Sequence, residues 1–309
     1  MNSKPGIKLL TVVIPVYNEG EILPVIAPAL VEFCQARNWN LILVNDGSRD
    51  DTRQILDRLD TSSNVRVIHH KVNRGYGGAL KTGIHQTTTP YVVTMDGDGQ
   101  HDPQDVERLL QFAIDRDADL VVGKRDAGVS NLYRSLGKFL IRNFTKILMP
   151  LPITDLNSGF KLYRTELVKR YITVCPDSMA FSDVITLVFL NEGNLVLESP
   201  IRISPRHAGQ STINTFTAFE TVIQVLNTTV MFNPLRVFLP ISIFCILAGL
   251  GWGIPIILLG RGVSVGAMLA IVTGLLFFVL GLLASQLSAI RMERLRDLTN
   301  GSRDSQADS

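Results

Sequence analysis

Two long uncharged segments near the end of the chain constrain its fold more than any other feature. Residues 237–260 and 262–290 contain no Asp, Glu, Lys, Arg or His, and only Arg261 separates them. Each exceeds the roughly 20 apolar residues with which a helix crosses a bilayer. Two such segments in tandem are hard to bury as core helices in a chain of 309 residues, so they predict a transmembrane hairpin. Gly249 and Gly253 form a small-xxx-small pair that could support helix packing or a homo-oligomer.

The charges beside the hairpin predict its orientation. Arg236 precedes the first segment, and the second is followed by Arg291, Arg294 and Arg296. Since basic residues favour the cytoplasmic side, both ends of the hairpin and the domain before it are expected in the cytoplasm. The chain is thus expected to be an integral protein of an inner, plasma or endoplasmic-reticulum-like membrane. Its polar tail is expected to be disordered from Asn300 onward.

The residues before the hairpin alternate between two patterns. Short apolar runs rich in β-branched residues predict strands, and the stretches between them have helical spacing. The runs 9–19 and 41–48 end in polar residues, and further strands are predicted at 65–69, 91–95 and 120–122. Helices are predicted at 21–37, 51–59, 77–86 and 103–115, the last one capped by Asp102. Alternating strands and helices are typical of a doubly wound α/β domain.

Two carboxylates directly follow the apolar run 91–95. Asp96 and Asp98 are two residues apart, so in an extended chain their side chains point the same way. Close carboxylates repel each other, and a shared divalent cation relieves the repulsion, with Gln100 adding a neutral oxygen. The segment therefore predicts a Mg²⁺ or Mn²⁺ site that also takes substrate phosphates. A polar turn is the alternative, because Asp and Gly dominate turns.

Polar residues also end the first two strands. The set comprises Tyr17, Asn18, Glu19, Asp46 and Ser48. Ligands of open parallel sheets gather outside the carboxyl ends of the strands, so these residues are expected to meet Asp96 and Asp98 at one edge. There an Asp could accept hydrogen bonds from a ribose or a base, and a tyrosine ring could lie against the base.

Four ordered motifs carry a resemblance to a known family. They are IPVYNE at 14–19, NDGS at 45–48, DGDGQHDP at 96–103 and DLNSGFK at 155–161. Together they resemble the inverting glycosyltransferases of family two, whose GT-A fold has a Rossmann-like, mostly parallel sheet. The polyprenyl-phosphate branch, which includes dolichyl-phosphate mannose synthases, is the most similar. The resemblance covers about 8–211, and Gly97 stands where this branch commonly has Ala.

The resemblance implies an enzyme and its substrates. The donor would be a nucleotide-diphosphate sugar of the GDP-mannose or UDP-glucose type, and the acceptor undecaprenyl or dolichyl phosphate, with inversion. The nucleotide would be bound by Pro15, Tyr17, Glu19, Asp46 and Asp96. The divalent cation would lie on Asp96, Asp98 and Gln100, and Asp155 would be the carboxylate of the catalytic site. Because the acceptor is already an anion, Asp155 need not be a strong general base, and it could equally orient the acceptor or stabilise positive charge on the sugar.

Several basic residues are candidates for phosphate contact. Arg74 lies in a Gly-rich segment before a predicted helix, where it could meet a nucleotide diphosphate. Arg125 and Arg134 are expected to contact phosphate. Arg206 lies in the segment 200–211, which resembles the family's basic strand; its arginines face either the active site or solvent, and the motif match favours the active site.

Two segments could rest on the membrane surface. In 133–148, basic residues recur every fourth position beside a broad apolar surface: Arg134, Lys138, Arg142 and Lys146. Such a helix could contact anionic lipid headgroups, or it could be a core helix with a solvated basic face. Apolar residues in 216–230 repeat the helical spacing and predict a second interfacial helix, with a core helix as the alternative.

Composition narrows the class of protein, and the segments described above give the expected units of the chain. The net charge of +2 argues against a nucleic-acid partner. Cys34, Cys175 and Cys245 are scattered, which suggests neither a zinc site nor a disulfide framework and fits the cytoplasm. The expected units are a catalytic domain at 1–211, a juxtamembrane amphipathic segment at 212–236, the hairpin at 237–290 and a cytoplasmic tail at 291–309.

Two other functions are weighed against this enzyme. A processive polysaccharide synthase would share only the front half of the chain and carry a QxxRW motif, which this sequence lacks. A non-catalytic, membrane-tethered module that binds nucleotide sugars would not need Asp96, Asp98 and Asp155 together. The motifs leave the donor sugar and its nucleobase open, because pocket shape selects them.

Overall fold

The chain divides into two units, Met1–Val129 with Pro152–Ser211 and Ser130–Leu151 with Thr212–Ser309. A computed structural model describes residues 8–59, 63–125, 153–202, 230 and 233–307. The predicted helix at 133–148, with Arg134, lies outside the described residues. The same holds for Arg206 and for nearly all of the predicted helix at 216–230.

A seven-stranded sheet with the order β3-β2-β1-β4-β6-β5-β7 forms the centre of the first unit. Its strands are β1 Leu10–Val16, β2 Asn40–Asn45, β3 Val65–His69, β4 Tyr91–Thr94, β5 Leu120–Arg125, β6 Lys161–Arg164 and β7 Val196–Ile201. Pairing is parallel except at β6, which runs antiparallel between β4 and β5. β1 and β2 are buried on both faces, which explains their unbroken apolar sequences.

Helices cover the sheet and complete the core. They are α1 Leu23–Ala36, α2 Thr52–Leu59, α3 Tyr76–His85, α4 Pro103–Arg116, α5 Thr165–Tyr171 and α6 Phe181–Asn191. α4 begins with Pro103, and Asp102 caps it by accepting a hydrogen bond from the backbone N–H of Gln104 at 2.9 Å. Leu30 of α1 and Leu109 of α4 pack into the same core as the apolar strand residues.

These elements confirm the predicted α/β class and its mostly parallel sheet. The predicted helices of this unit agree with the structure to within two residues at each end. β5 continues to Arg125, beyond its predicted end at residue 122, because it pairs with β7 as far as Ile201. The pattern did not predict β6, since it is only four residues long and begins and ends with a basic residue.

In the second unit, α7 Leu235–Leu258 and α8 Val265–Ala307 form a helical hairpin. Within the described residues, two stretches are long and apolar enough to cross a membrane, Leu235–Leu258 and Val265–Ile290, and only 17% of an apolar 18-residue window in each is buried. Large side chains such as Phe244 and Leu258 are 71% and 81% exposed. Such a surface is unfavourable in water and favourable among lipid tails. The disorder predicted from Asn300 onward is wrong, because α8 continues as a helix to Ala307.

The two hairpin helices approach closely at glycines. A Cβ at Gly249 would lie 2.8 Å from the carbonyl oxygen of Ala267, and one at Gly253 would lie 3.1 Å from the Cβ of the same residue. The small-residue pair predicted from the sequence therefore packs inside the hairpin. A role for it in a homo-oligomer stays a prediction.

We expect Gly249→Ala to destabilise the hairpin, because the added methyl group overlaps the backbone of α8. Overpacking of this kind typically costs about 1–3 kcal/mol. The matched control is Gly251→Ala on the same helix, where a Cβ would meet nothing within 4 Å. Thermal unfolding of both variants in detergent checks the prediction. Equal melting temperatures for the two variants would contradict the close approach at Gly249.

Candidate functional site

A cleft of about 320 Å³ lies at the carboxyl ends of β1, β2 and β4. The residues that line it are Pro15, Val16, Tyr17, Glu19, Asp46, Asn73, Tyr76, Ala79, Asp96, Gly97, Asp98 and Met179. Parallel pairing of β1 with both neighbours brings the ends of these strands together. Of the predicted site residues, the lining contains Pro15, Tyr17, Glu19, Asp46, Asp96 and Asp98. It does not contain Arg74, Gln100, Arg125 or Asp155.

Asp96 is held in place by two neighbours from outside its strand. Its Oδ1 accepts a hydrogen bond from the Tyr76 hydroxyl at 2.9 Å, and its Oδ2 lies 3.7 Å from Nε2 of His101. Burial acts to raise the pKa of Asp96, but the interactions with His101 and Tyr76 lower it overall. The group is therefore a carboxylate at neutral pH. Its side chain is still 37% exposed, so a ligand can reach it.

Gly159 allows Asp96 and Tyr76 to approach the DLNSGFK segment. A Cβ at this position would lie 2.6 Å from both Asp96 Oδ1 and the Tyr76 hydroxyl oxygen. Burial, and then the charge of Asp96, raise the pKa of Tyr76 well above its ordinary value. Tyr76 thus stays protonated and donates to the carboxylate. Sequence reasoning missed Tyr76, although it stands in the Gly-rich segment that pointed to Arg74.

The two cleft carboxylates suit a divalent cation. Asp96 and Asp98 offer the hard oxygen atoms that Mg²⁺ and Mn²⁺ prefer. Among the described residues, no group of three or more His, Cys, Asp and Glu could hold a metal ion. The donors therefore fit a cation that takes part of its shell from substrate phosphates, as Mg²⁺ does. Gln100 contacts Asp98 Oδ1 through its backbone N–H at 3.2 Å, and a metal contact by its side chain stays a prediction.

Asp155 and Arg125 form a bidentate pair. Arg125 Nε donates to Oδ2 and Nη2 to Oδ1, both at 2.8 Å, and the backbone N–H of Arg125 adds a contact of 3.1 Å. Burial acts to raise the pKa of Asp155, but hydrogen bonds from Arg125 and its charge lower it overall. A carboxylate with a lowered pKa is a poor base near neutral pH. Of the roles that the sequence left open, this geometry favours orientation or charge stabilisation.

Glu198 also fixes the Asp155 segment. This residue of β7 accepts a hydrogen bond from the backbone N–H of Asp155 at 2.8 Å and from the Thr154 hydroxyl at 2.9 Å. It anchors the backbone at the start of the DLNSGFK motif. Sequence reasoning missed Glu198, because it lies 43 positions further along the chain, in a strand that was not predicted.

Lys161 is a third residue that sequence reasoning missed. It is fully buried, and its Nζ donates to the carbonyl oxygen of Leu156 at 2.7 Å, to Thr186 Oγ1 at 2.8 Å and to the carbonyl oxygen of Ser182. These contacts join the DLNSGFK segment to α6. Burial lowers the pKa of Lys161 to about 7, although nearby Asp183 acts to raise it. The signal in the sequence was the position of this lysine, which ends the DLNSGFK motif and is the first residue of β6.

The fold and the acidic cleft define a GT-A-like domain, and comparison with known proteins identifies the family. The model described as glycosyl transferase family 2 matches residues 11–172, and the model described as GtrB C-terminal hairpin matches residues 233–290. The chain belongs to glycosyl transferase family 2 and is a glycosyltransferase with a C-terminal membrane anchor. The resemblance inferred from its four motifs is confirmed.

Curated relatives cover most of the chain. The polyprenol monophosphomannose synthase of Mycolicibacterium smegmatis is 30% identical over 212 residues, which cover 65% of this chain and 79% of that protein. The undecaprenyl-phosphate 4-deoxy-4-formamido-L-arabinose transferase of Pectobacterium carotovorum is 27% identical over 265 residues, 84% of this chain and 79% of that protein. Among solved structures, glucosyl-3-phosphoglycerate synthase from Mycobacterium tuberculosis, in complex with Mn²⁺, UDP and phosphoglyceric acid, shares the fold. Its TM-score is 0.56 at 18% identity, and the match covers 72% of this chain and 78% of that chain.

We expect Lys161→Met to lower the free energy of unfolding by roughly 2 kcal/mol or more, because it leaves buried oxygens without their donor. The loss should depend on pH. The folded-state pKa of about 7 lies below the ordinary value of 10.5, so the unfolded chain binds more protons between these values. The stability of the wild type relative to the variant should therefore rise from pH 7 toward pH 10.5.

Thermal unfolding in detergent at several pH values measures this difference. Lys71→Met, at an exposed position, is the control and should show no comparable change. A difference between wild type and Lys161→Met that stays constant with pH would contradict the lowered pKa.

Proposed function

We propose that this glycosyltransferase transfers a hexose from a nucleotide-diphosphate sugar to a polyprenyl phosphate, with inversion at the anomeric carbon. The observation that carries the proposal is that one chain combines the acidic cleft of Asp96 and Asp98 with an exposed apolar hairpin. The names of the two relatives support it, since one is a polyprenol monophosphomannose synthase and the other an undecaprenyl-phosphate transferase. A soluble acceptor would not require the hairpin.

The cleft has two chemically different ends for the donor. At one end, Tyr17 is 44% exposed and its ring can lie against a nucleobase, while Asp46 can accept a hydrogen bond from the base or ribose. At the other end, Asp96 and Asp98 can bind a divalent cation, Mg²⁺ or Mn²⁺, together with the diphosphate. When bound, this cation would stabilise the negative charge that develops on the leaving diphosphate. Pro15 and Glu19 line the same cleft.

The Asp155–Arg125 pair is proposed to serve the acceptor and the sugar. A polyprenyl monophosphate is already an anion, so its attack on the anomeric carbon needs no strong base. Arg125 uses two of its five side-chain N–H groups on Asp155 and has others for a phosphate. Its side chain is 42% exposed, so it remains accessible. Contacts from Arg74, Arg134 and Arg206 to phosphate are part of the same proposal.

The acceptor is proposed to reach the site from the cytoplasmic leaflet. The basic residues that flank the two uncharged segments, Arg236 before them and Arg291, Arg294 and Arg296 after them, favour a cytoplasmic catalytic domain. The purified protein in detergent should then transfer sugar from one of a panel of UDP- and GDP-sugars to undecaprenyl or dolichyl phosphate. The product should have the opposite anomeric configuration to the donor. Hydrolysis without transfer to any polyprenyl phosphate would contradict the proposal.

Transfer should require a divalent cation and Asp98. Chelation, or Asp98→Ala, should abolish transfer because the charge on the diphosphate then lacks its partner, while the fold and membrane insertion persist. Asp115→Ala, at an exposed position on α4, is the matched control and should retain activity. Radiolabelled sugar transfer measures the effect. Full activity in excess chelator would contradict the proposed requirement for a divalent cation.

Removing the charge of Asp155 should slow turnover without weakening donor binding. Asp155→Asn keeps the shape but not the bidentate ion pair, so kcat should fall at least about a hundredfold, the scale of a positioned acid or base. Arg125→Gln should cause a similar loss, and the double variant should be little worse than either one, because the two act as a pair. Lost donor binding with normal turnover of bound substrate would instead assign Asp155 to the nucleotide site.

A further inference from the structure

Asp46 has most of its hydrogen-bonding capacity already occupied. Its side chain is 4% exposed, yet it lines the cleft next to Tyr17. Oδ1 lies 2.7 Å from Nδ1 of His70 and accepts the backbone N–H of Arg74 at 2.8 Å. Oδ2 accepts the backbone N–H of Gly75 at 2.8 Å. A carboxylate only accepts, so Nδ1 of His70 is the donor of its contact.

These contacts leave one acceptor position for a ligand. A carboxylate offers about four lone-pair positions, two on each oxygen. Donors from the described residues fill both positions on Oδ1 and one on Oδ2. His70 is itself fixed, because its Nε2 lies 2.9 Å from Thr82 Oγ1 and its side chain is 5% exposed. The remaining position, on Oδ2, can take one N–H group.

Nucleobases differ in how many adjacent donors they present. Uracil presents a single N–H, at N3, between two carbonyl groups. Guanine presents two adjacent donors, at N1 and the exocyclic N2, which together require a free position on each oxygen of a carboxylate. At Asp46 the second guanine donor would be buried without an acceptor, and an unsatisfied buried donor is costly.

We infer that the base end of the cleft takes uracil and discriminates against guanine, and that His70 is the positioning residue that sets this selectivity. The inference rests on the proposed function, because it assigns Asp46 to the nucleobase of the donor. It selects UDP-hexoses over GDP-hexoses as donors. It concerns base binding alone and is independent of the acceptor.

Nucleotide binding by the full-length protein in detergent with Mn²⁺ tests the inference, with UDP, GDP and inosine diphosphate as probes. Hypoxanthine, the base of inosine diphosphate, keeps the N1–H of guanine but lacks the exocyclic amine. Comparison of GDP with inosine diphosphate therefore isolates the effect of the second donor. GDP should bind about tenfold or more weakly than both UDP and inosine diphosphate. GDP binding as tight as that of inosine diphosphate would overturn the inference.

Variants of His70 test its role. His70→Ala frees a position on Oδ1, so the ratio between inosine diphosphate and GDP affinity should fall toward one. His70→Asn, whose amide can replace the Nδ1 donor, should restore the ratio. His69→Ala is the control, because that ring contacts Asn45 and Asp57 and not Asp46. A folded His70→Ala variant with an unchanged ratio would overturn the role of His70.

If His70→Ala fails to fold, the ratio between inosine diphosphate and GDP affinity of the wild-type protein still tests the selectivity of the base end. Failure of the proposed function gives a different result, namely no transfer of sugar to any polyprenyl phosphate. A protein that transfers sugar but binds GDP better than UDP overturns only the present inference.

Discussion

Parallel pairing of β1 with β2 on one side and β4 on the other is the constraint on which the cleft depends. In this arrangement Val16 lies opposite Asn45, and Val13 lies opposite Thr94. The chain therefore leaves all three strands at the same edge, and the polar residues within two positions of the strand ends line a common cleft. The motifs around Tyr17, Asp46 and Asp96 are far apart in the sequence but adjacent here because backbone hydrogen bonds fix the register.

The same regularity explains which parts of the fold could be predicted. Buried parallel strands read as apolar runs, and the helices between them have clear periodicity, so β1 to β5 and α1 to α4 were recognisable. β6 was not, since Lys161 and Arg164 break its apolar pattern and its place between β4 and β5 depends on long-range pairing. The helical end of α8 was not predicted, because composition treats the polar segment from Asn300 onward as if it were isolated from the helix before it. A helix already formed extends into such a segment at low cost, since nucleation is the unfavourable step.

The acidic residues of the site could be predicted, but their partners could not. Strand-end motifs identify Asp46, Asp96 and Asp98 because the chemistry requires oxygen atoms at that edge. His70, Tyr76 and Arg125 hold carboxylates from positions 20 to 30 residues away, and no local pattern pairs them. The pairing of Asp155 with Arg125 changes the expected chemistry. It joins two separately predicted groups in one ion pair, in which Asp155 is a poor base.

On the proposed function, these partners make the site selective before any ligand binds. Each carboxylate that is held by a fixed donor needs no rearrangement to meet its ligand, which is how preorganised sites gain strength. The donors also occupy lone pairs, so the ligand can use only the positions that remain. In the proposed function, the cleft thus recognises its ligand through what the described residues leave unoccupied: one acceptor position on Asp46 and exposed oxygen atoms on Asp96. Changing a partner such as His70 should therefore alter selectivity even though that residue need not touch the ligand.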